Sequence, residues 1–424
     1  MEVTVLFSVF ILGLILGIPI AATLGLSSLV YIIISGIPAV IMPQKMYAGM
    51  DVFVLLSIPG FILAGNLMNH GGITTRIVRF ANSVVGWIKG GLGLTNIAAS
   101  MLFGGITGTA VADAASIGGV MIPGMKKAGY PADFSAAVTA ASSTVGPIIP
   151  PSVPMIIVGA LSGISVGQMF LAGAIPGILM GLAMMVTAYL ISIKYGYPSQ
   201  SWRGLNEVVR SFSNAFWALA MTFLIIYGLL SGFSTPTETA VVASLYAFVV
   251  GTFIYRELPL RAVPKILVDS AISASGILIL VGFANVFGWI LVSERIPQAI
   301  AVGVLSITEN KYLVILLINI LLLFVGMFME TIAALIILFV PLLSLATAVG
   351  IEPLHFATFA VLNLMIGLTT PPVGVCLFVC SNIAGIPLSS VVKAILPFLL
   401  TNIMVLMAVS YIPAIATWLP SLLK

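Results

Sequence analysis

Apolar runs of about twenty residues, the length an α-helix needs to cross a bilayer, recur along almost the whole chain. Segments 3–18, 20–38, 52–69, 168–193, 213–232, 236–255, 266–293 and 397–419 are long enough to cross. Only 7% of the residues are charged and 61% are hydrophobic, whereas soluble domains carry roughly 25% charged residues. So little charge cannot cover a water-soluble fold, and the chain reads as an all-α polytopic membrane protein. No soluble domain, long polar linker or low-complexity tract interrupts it. The opening residues "MEVTVLFSVF" have no basic stretch before the apolar run, so no cleavable signal peptide is expected. Cys376 and Cys380 lie in an apolar run and read as small hydrophobes, not as a disulfide or a metal pair.

Two further crossings are broken in the middle: 133–166 around "VGPIIPP" and 353–386 around "IGLTTPP". Two other regions, 92–125 and 311–348, are interrupted by "FGGITGT" and "VGMFME". Each is long enough for two short helices that enter and leave on one side, and both are read as re-entrant hairpins. In 73–90 one helical face carries Ile73, Ile77, Phe80, Val84, Trp87 and Ile88, with Arg76, Arg79 and Lys89 elsewhere. That pattern suits a helix lying along the membrane interface.

Ten crossings with both termini outside place 12 basic residues inside, among them Arg76, Arg79, Lys126, Lys127, Arg256 and Lys393, of the 16 present. Lys45, Arg295, Lys311 and Lys424 remain outside. This is the bias of the positive-inside rule, and it requires 92–125 to return to the side it left.

The two proline breaks are also related by position. Gly146 and Gly367 are 221 residues apart, as are Pro151 and Pro372, Pro176 and Pro397, and Gly129 and Gly350. Pro131 to Pro353 is 222, and Pro19 to Pro236 is 217. Such ordered offsets indicate an internal duplication. With five crossings per half, the second half is inserted upside down, as in many secondary transporters, whose sites form near the midplane from discontinuous helices. The expected division is 1–200 (scaffold helices 3–38, interfacial arm 73–90, hairpin 92–125, broken helix 133–166) and 201–424 (scaffold helices 213–255, hairpin 311–348, broken helix 353–386).

A proline inside a helix removes a hydrogen bond and frees carbonyls. Irregular backbone at membrane depth persists only where it is buried or lines a wet cavity. Two symmetric breaks therefore suggest two cages of carbonyl oxygens suited to a hard monovalent cation such as Na⁺, with half-helix N-termini facing an anionic substrate. The competing reading is a pair of packing kinks. Small residues at the first tip, Gly104, Gly105, Thr107, Gly108 and Thr109, suit either close helix packing or coordination. Of the acids at membrane depth, Asp113 suits a helix cap or the ion site, Glu238 a helix cap after Pro236, and Glu330 either role. His70 and His355 are read as interfacial. No Walker A motif is present and no Ser-His-Asp order stands out. A channel and an intramembrane hydrolase stay open as readings of other classes.

The stretches "SIPGFILAGNLMNHGG", "FGGITGTAVADAASIGG", "AAVTAASSTVGPIIPPS", "STPTETA", "GMFMETIAALIILFVP" and "GLTTPPVGVCLF" together resemble the large, DctM-like membrane subunit of TRAP (tripartite ATP-independent periplasmic) transporters, over essentially the whole chain. The resemblance implies an elevator-type, Na⁺-coupled uptake system in a bacterial or archaeal cytoplasmic membrane. It implies a periplasmic substrate-binding protein delivering a carboxylate, such as a dicarboxylate or sialic acid, and a small four-helix membrane subunit as partners, with no role for nucleic acid. Carried over by position, one Na⁺ site would use Gly104, Thr107, Gly146, Ile149 and Pro151, and the other Gly326, Met329, Gly367, Thr370 and Pro372. Gly105, Thr109, Ser152, Thr331 and Gly374 would meet the substrate. Gly104 stands where the family commonly has serine; backbone coordination survives that change and a hydroxyl contact does not. H⁺ coupling through Asp113 or Glu330 is the alternative to Na⁺.

Overall fold

The computed structural model describes residues 2–422, apart from the side chains of residues 105–107. Its regular structure is helical, with no strand among the described residues. In chain order the helices of the first half are α1 (Glu2–Ile15), α2 (Ile20–Ile34), α3 (Ile41–Met50), α4 (Ser57–His70), α5 (Ile73–Val85), α6 (Gly91–Thr107), α7 (Ala110–Lys127), α8 (Ala132–Ser143), α9 (Val153–Ser162) and α10 (Val166–Tyr195). Then follow α11 (Leu205–Leu230), α12 (Pro236–Val249), α13 (Val263–Ser293), α14 (Ile296–Leu305), α15 (Lys311–Gly326), α16 (Thr331–Ala348), α17 (Pro353–Gly367), α18 (Val375–Ala384), α19 (Leu388–Tyr411) and α20 (Ala414–Ser421). Among the described residues seven helical runs are long and apolar enough to span a membrane.

The starts of six helices recur along the chain. Ile73 and Ile296 are 223 positions apart, Gly91 and Lys311 220, Ala110 and Thr331 221, Ala132 and Pro353 221, Val153 and Val375 222, Val166 and Leu388 222. Two helices were not anticipated, α3 and α14, and the expected last crossing, 397–419, divides into α19 and α20. α14 sits at the offset of α5, and its short run behind Pro297 is too brief for a bilayer-length window to register. The last crossing begins at Leu388, not at 397. Pro397 lies inside α19, on an exposed part of the helix.

Two groups of helices result. One packs α4 on α12, α1 on α2, and α13 on α2, α3 and α4. The other packs α8 on α7, α18 and α19, α17 on α15 and α16, and α10 on α6, α19 and α20. Within the second group the contacts cross between halves: α7 packs on α18, and α16 on α9. α5 touches α6 of the second group and α11, which packs on α12 of the first; α14 touches α13 and α16 in the same way.

The interfacial stripe divides. Ile73, Ile77 and Ala81 are buried, while Val84 and Trp87 are exposed. α5 stops at Val85 because Gly86 caps it and Gly90 (φ 75°) turns the chain into α6. Phe80 instead meets Phe212, and Trp87 meets Trp202, each at 5.6 Å between ring centroids.

Polar contacts between distant segments sort by end. Arg76 pairs with Glu257 at 2.7 Å and stacks on Tyr255; Arg79 pairs with Glu207 at 2.8 Å. Lys126 Nζ donates to the Ala384 carbonyl at 2.8 Å, at the C-terminus of α18 where a cation is favoured. Tyr130 donates to the Pro198 carbonyl at 2.6 Å, and burial raises its hydroxyl above the ordinary phenol range. All these groups belong to segments that the sequence reading expects on the inner side. On the other side Tyr31 donates to Glu294, and Lys311 Nζ donates to the Gly350 carbonyl at 2.9 Å.

Candidate functional site

The chain leaves helical structure between Ser143 and Val153, and again between Gly367 and Val375. Each break holds a double proline, and each Pro–Pro bond, 150–151 and 371–372, is cis. Ser152 opens α9: its hydroxyl accepts from the Met155 N–H at 3.2 Å and donates to the Pro147 carbonyl. Thr370 donates its hydroxyl to the Ile366 carbonyl at 2.9 Å. Gly374 (φ 54°) opens α18.

A hairpin closes over each break. α6 and α7 pack on each other and on α8; α15 and α16 pack on each other and on α17. The first tip is only Gly108 and Thr109, since α6 runs on to Thr107. Gly108 (φ 64°) lies against the second half of the break: a Cβ there would be 3.3 Å from the Pro151 carbonyl oxygen. Thr109 is half-buried and opens α7 without a side-chain cap. At the second tip Glu330 caps α16, accepting from the N–H groups of Ile332 (2.8 Å) and Ala333 (3.3 Å). Buried Thr331 donates to the Leu364 carbonyl at 3.4 Å, joining hairpin to broken helix.

Backbone meets backbone where the hairpins cross the broken helices. A Cβ at Gly104 would lie 2.2 Å from the Gly146 Cα, and one at Gly367 would lie 2.6 Å from the Gly326 Cα. Asp113, fully buried in the first turn of α7, brings its carboxylate to the same place: a Cβ at Gly146 would sit 1.8 Å from Asp113 Oδ2. Gly105 and Thr107, expected at this site, lie outside the described residues.

Carbonyls at both breaks are left available. Among the described residues no donor reaches the carbonyls of Gly146, Ile149 or Pro151, nor those of Gly326, Met329, Thr370 or Pro372. The Gly367 carbonyl accepts from the Thr370 N–H at 2.9 Å. Unmet carbonyl oxygens at membrane depth are costly, and hard oxygen donors suit a hard cation. The donor set therefore fits Na⁺ in kind at both places, with one oxygen of the second set already engaged. Gly146 and Pro151 are buried, whereas Pro372 is exposed and Met329 half-buried, so the second break is the more open.

Some assignments fall elsewhere. Glu238 lies in the other helix group, closing a capping box with Thr235 at the start of α12. His355 is buried, its Nε2 2.9 Å from the Val409 carbonyl, while His70 is exposed beside the Asn66 carbonyl. Three buried amides, Asn96, Asn319 and Asn363, escaped the sequence reading. Asn96 of α6 donates to Thr139 of α8 at 2.6 Å, and Asn363 of α17 donates to Asn319 of α15 at 2.8 Å. The legible signal was a lone amide in the first helix of each hairpin, Asn96 and Asn319, and in α17, Asn363, which in lipid must find a partner on a neighbouring helix.

With this geometry described, comparison with known proteins is informative. The family model described as "Tripartite ATP-independent periplasmic transporter, DctM component" matches residues 7–415. The chain is 43% identical to the sialic acid TRAP transporter large permease protein SiaM of Vibrio cholerae, over 96% of this chain and 95% of that one. It is 38% identical to the isethionate TRAP transporter permease protein DctMQ of Oleidesulfovibrio alaskensis, over 97% of this chain and 65% of that one. Among solved structures it resembles MtrF of Neisseria gonorrhoeae, described as an antimetabolite efflux pump, with a TM-score of 0.62 at 15% identity, covering 89% of this chain and 83% of that one. That likeness concerns the fold.

Proposed function

The chain belongs to the DctM component family of tripartite ATP-independent periplasmic transporters, and from that premise we propose that it is a Na⁺-coupled permease for an organic anion, working as an elevator in a cytoplasmic membrane. It is a multi-pass membrane protein, and its family is one of transporter permeases, not of enzymes. The observation that carries the proposal is the paired crossing of Gly104 with Gly146 and Gly326 with Gly367, each beside unengaged carbonyls in a proline-broken helix.

On this reading the halves 1–200 and 201–424 are inverted repeats. α1–α4 and α11–α13 form the scaffold. The hairpins α6–α7 and α15–α16 move with the broken helices α8–α9 and α17–α18, on the arms α5 and α14. One Na⁺ is held by carbonyls of Gly104, Gly146, Ile149 and Pro151 with Thr107, the other by those of Gly326, Met329, Gly367, Thr370 and Pro372. Bound Na⁺ offsets the carbonyl dipoles that would otherwise face lipid unsatisfied during the crossing. The substrate is met by Gly105, Thr109, Ser152, Thr331 and Gly374. The relatives named for sialic acid and isethionate carry a carboxylate and a sulfonate, so the proposed substrate class is organic anions, carboxylates first.

A periplasmic binding protein delivers the anion, and a small membrane subunit braces the scaffold. The isethionate permease supports the latter, since this chain covers 65% of it and the rest of that protein leaves room for a further membrane part.

The test is uptake of radiolabelled organic acids into proteoliposomes holding this chain, its small subunit and the cognate binding protein, at fixed pH. Uptake requiring both an inward Na⁺ gradient and the binding protein supports the proposal. Uptake indifferent to Na⁺ but driven by a proton gradient overturns the carbonyl sites and moves coupling to Asp113 or Glu330.

A further inference from the structure

A cavity of about 380 Å³ lies between α3 and α13 on one side and α9 and α16 on the other. Most of its wall is apolar, including Val281 and Val292 of α13, Ile157 of α9, and Ile337 and Val340 of α16. Its polar features gather on the α3–α13 side. Lys45 Nζ sits 5.3 Å from the centre of the Trp289 ring. One helical turn on, Gly49 lies against Asn285, where a Cβ would come within 2.4 Å of the Asn285 Cβ. The absent side chain at Gly49 leaves room for Asn285, which lines the same cavity as Lys45. Among the lining residues described, Lys45 is the one charged side chain and none is acidic.

The depth of these groups is also marked. Trp and Tyr are favoured at the headgroup level of a bilayer; Trp289 stands beside Lys45, and Tyr47 of α3 is 67% exposed. A cation and an amide beside such a Trp, next to an apolar cleft, match an amphiphile with an anionic head. A small hydrophilic anion would set its polar groups against the aliphatic walls of α9 and α16, which is unfavourable. An acyl chain gains from the same contact.

We propose that this cavity binds an anionic phospholipid, its phosphate held by Lys45 and the Asn285 amide and an acyl chain lying in the cleft between α13 and α9–α16. The site is separate from the proline breaks and does not depend on Na⁺ coupling. The lipid is a wedge between the two helix groups, filling a space their own side chains leave open.

The test is native mass spectrometry of the full chain with its small subunit, released from nanodiscs of phosphatidylcholine and phosphatidylglycerol. The wild type is expected to retain phosphatidylglycerol in preference to phosphatidylcholine. Lys45→Gln should lower retention about fivefold, the weight of one basic residue against an anionic lipid. Gly288→Leu fills the cleft without touching the cation, since a Cβ at Gly288 meets no atom within 4 Å; it should abolish retention. Equal retention of both lipids, or retention unchanged in both variants, overturns the proposal. Displacement of phosphatidylglycerol by succinate or N-acetylneuraminate also overturns it, and would assign the cleft to the transported anion.

Discussion

Gly104 and Gly146 cross so closely that a Cβ on Gly104 would lie 2.2 Å from the Gly146 Cα. Gly326 and Gly367 repeat the relationship in the second half, with 3.1 Å from a Cβ on Gly326 to the Gly367 Cα. Backbone atoms, not a flexible side chain, stand in the way in both cases, so relief requires moving a helix. Overpacking of this kind costs about 1–3 kcal/mol. Gly104→Ala is expected to lower the melting temperature and uptake of the purified complex severely, and Gly326→Ala mildly. Equal effects would mean that the two crossings are not equally rigid.

Gly146→Ala meets a different obstacle, because the nearest atom is Asp113 Oδ2 at 1.8 Å. Shortening that side chain opens the space. Gly146→Ala with Asp113→Ala should therefore melt higher than the two single effects added together, a coupling typical of residues in contact. Uptake should stay low in the double variant, since a buried carboxylate beside the first set of carbonyls is gone. Strict additivity in the melting data would show that the helices part rather than press on Asp113.

The arm α5 is tied down at its start by one arginine. Arg76 donates to Glu257 and to the Gly72 carbonyl, both within 2.8 Å, and its guanidinium lies 4.0 Å from the Tyr255 ring centre. Gly72 leaves room for this: a Cβ there would fall 1.5 Å from Glu257 Oε2. Gly72→Ala expels the carboxylate and so should reproduce the effect of Arg76→Gln on uptake, and combining the two should slow uptake little further. On the proposed mechanism Arg76→Gln slows uptake more than it lowers the melting temperature, because exposed ion pairs contribute little to stability, whereas Gly72→Ala also melts lower, since Gly72 holds φ 74°, a conformation that suits glycine. Full additivity in uptake would separate the two residues.

Much of this arrangement was legible in the sequence. The scarcity of charge defined the class, and the prolines located both breaks, because Pro cannot donate to a helix ladder wherever it sits. The offset of 221 paired Gly146 with Gly367 before any geometry was known. What escaped reading was short or relational. α14 has ten residues, too few for a spanning pattern. The contact of Asp113 with Gly146 joins residues on helices whose packing no local pattern encodes. α19 was begun nine residues late because Pro397 looks like a boundary, whereas Pro387 is the one that precedes the helix.

The last prediction separates backbone from side-chain coordination at the second break. The Thr370 hydroxyl donates to the Ile366 carbonyl, which also accepts from the hydroxyl and N–H of Thr369, each bond between 2.9 and 3.0 Å. Thr370→Val thus leaves that carbonyl with partners, and the net loss is about 1 kcal/mol. If the oxygen Thr370 offers a cation is its carbonyl, Na⁺ half-saturation of uptake should move by no more than about threefold, within the weight of one such bond. Pro372→Ala restores an N–H to the break and lets the chain re-engage carbonyls that the proline keeps out of the ladder. That variant should lose Na⁺ dependence while still reaching the membrane. Loss of Na⁺ dependence in Thr370→Val with Pro372→Ala unaffected would reverse the assignment and make the hydroxyl the ligand.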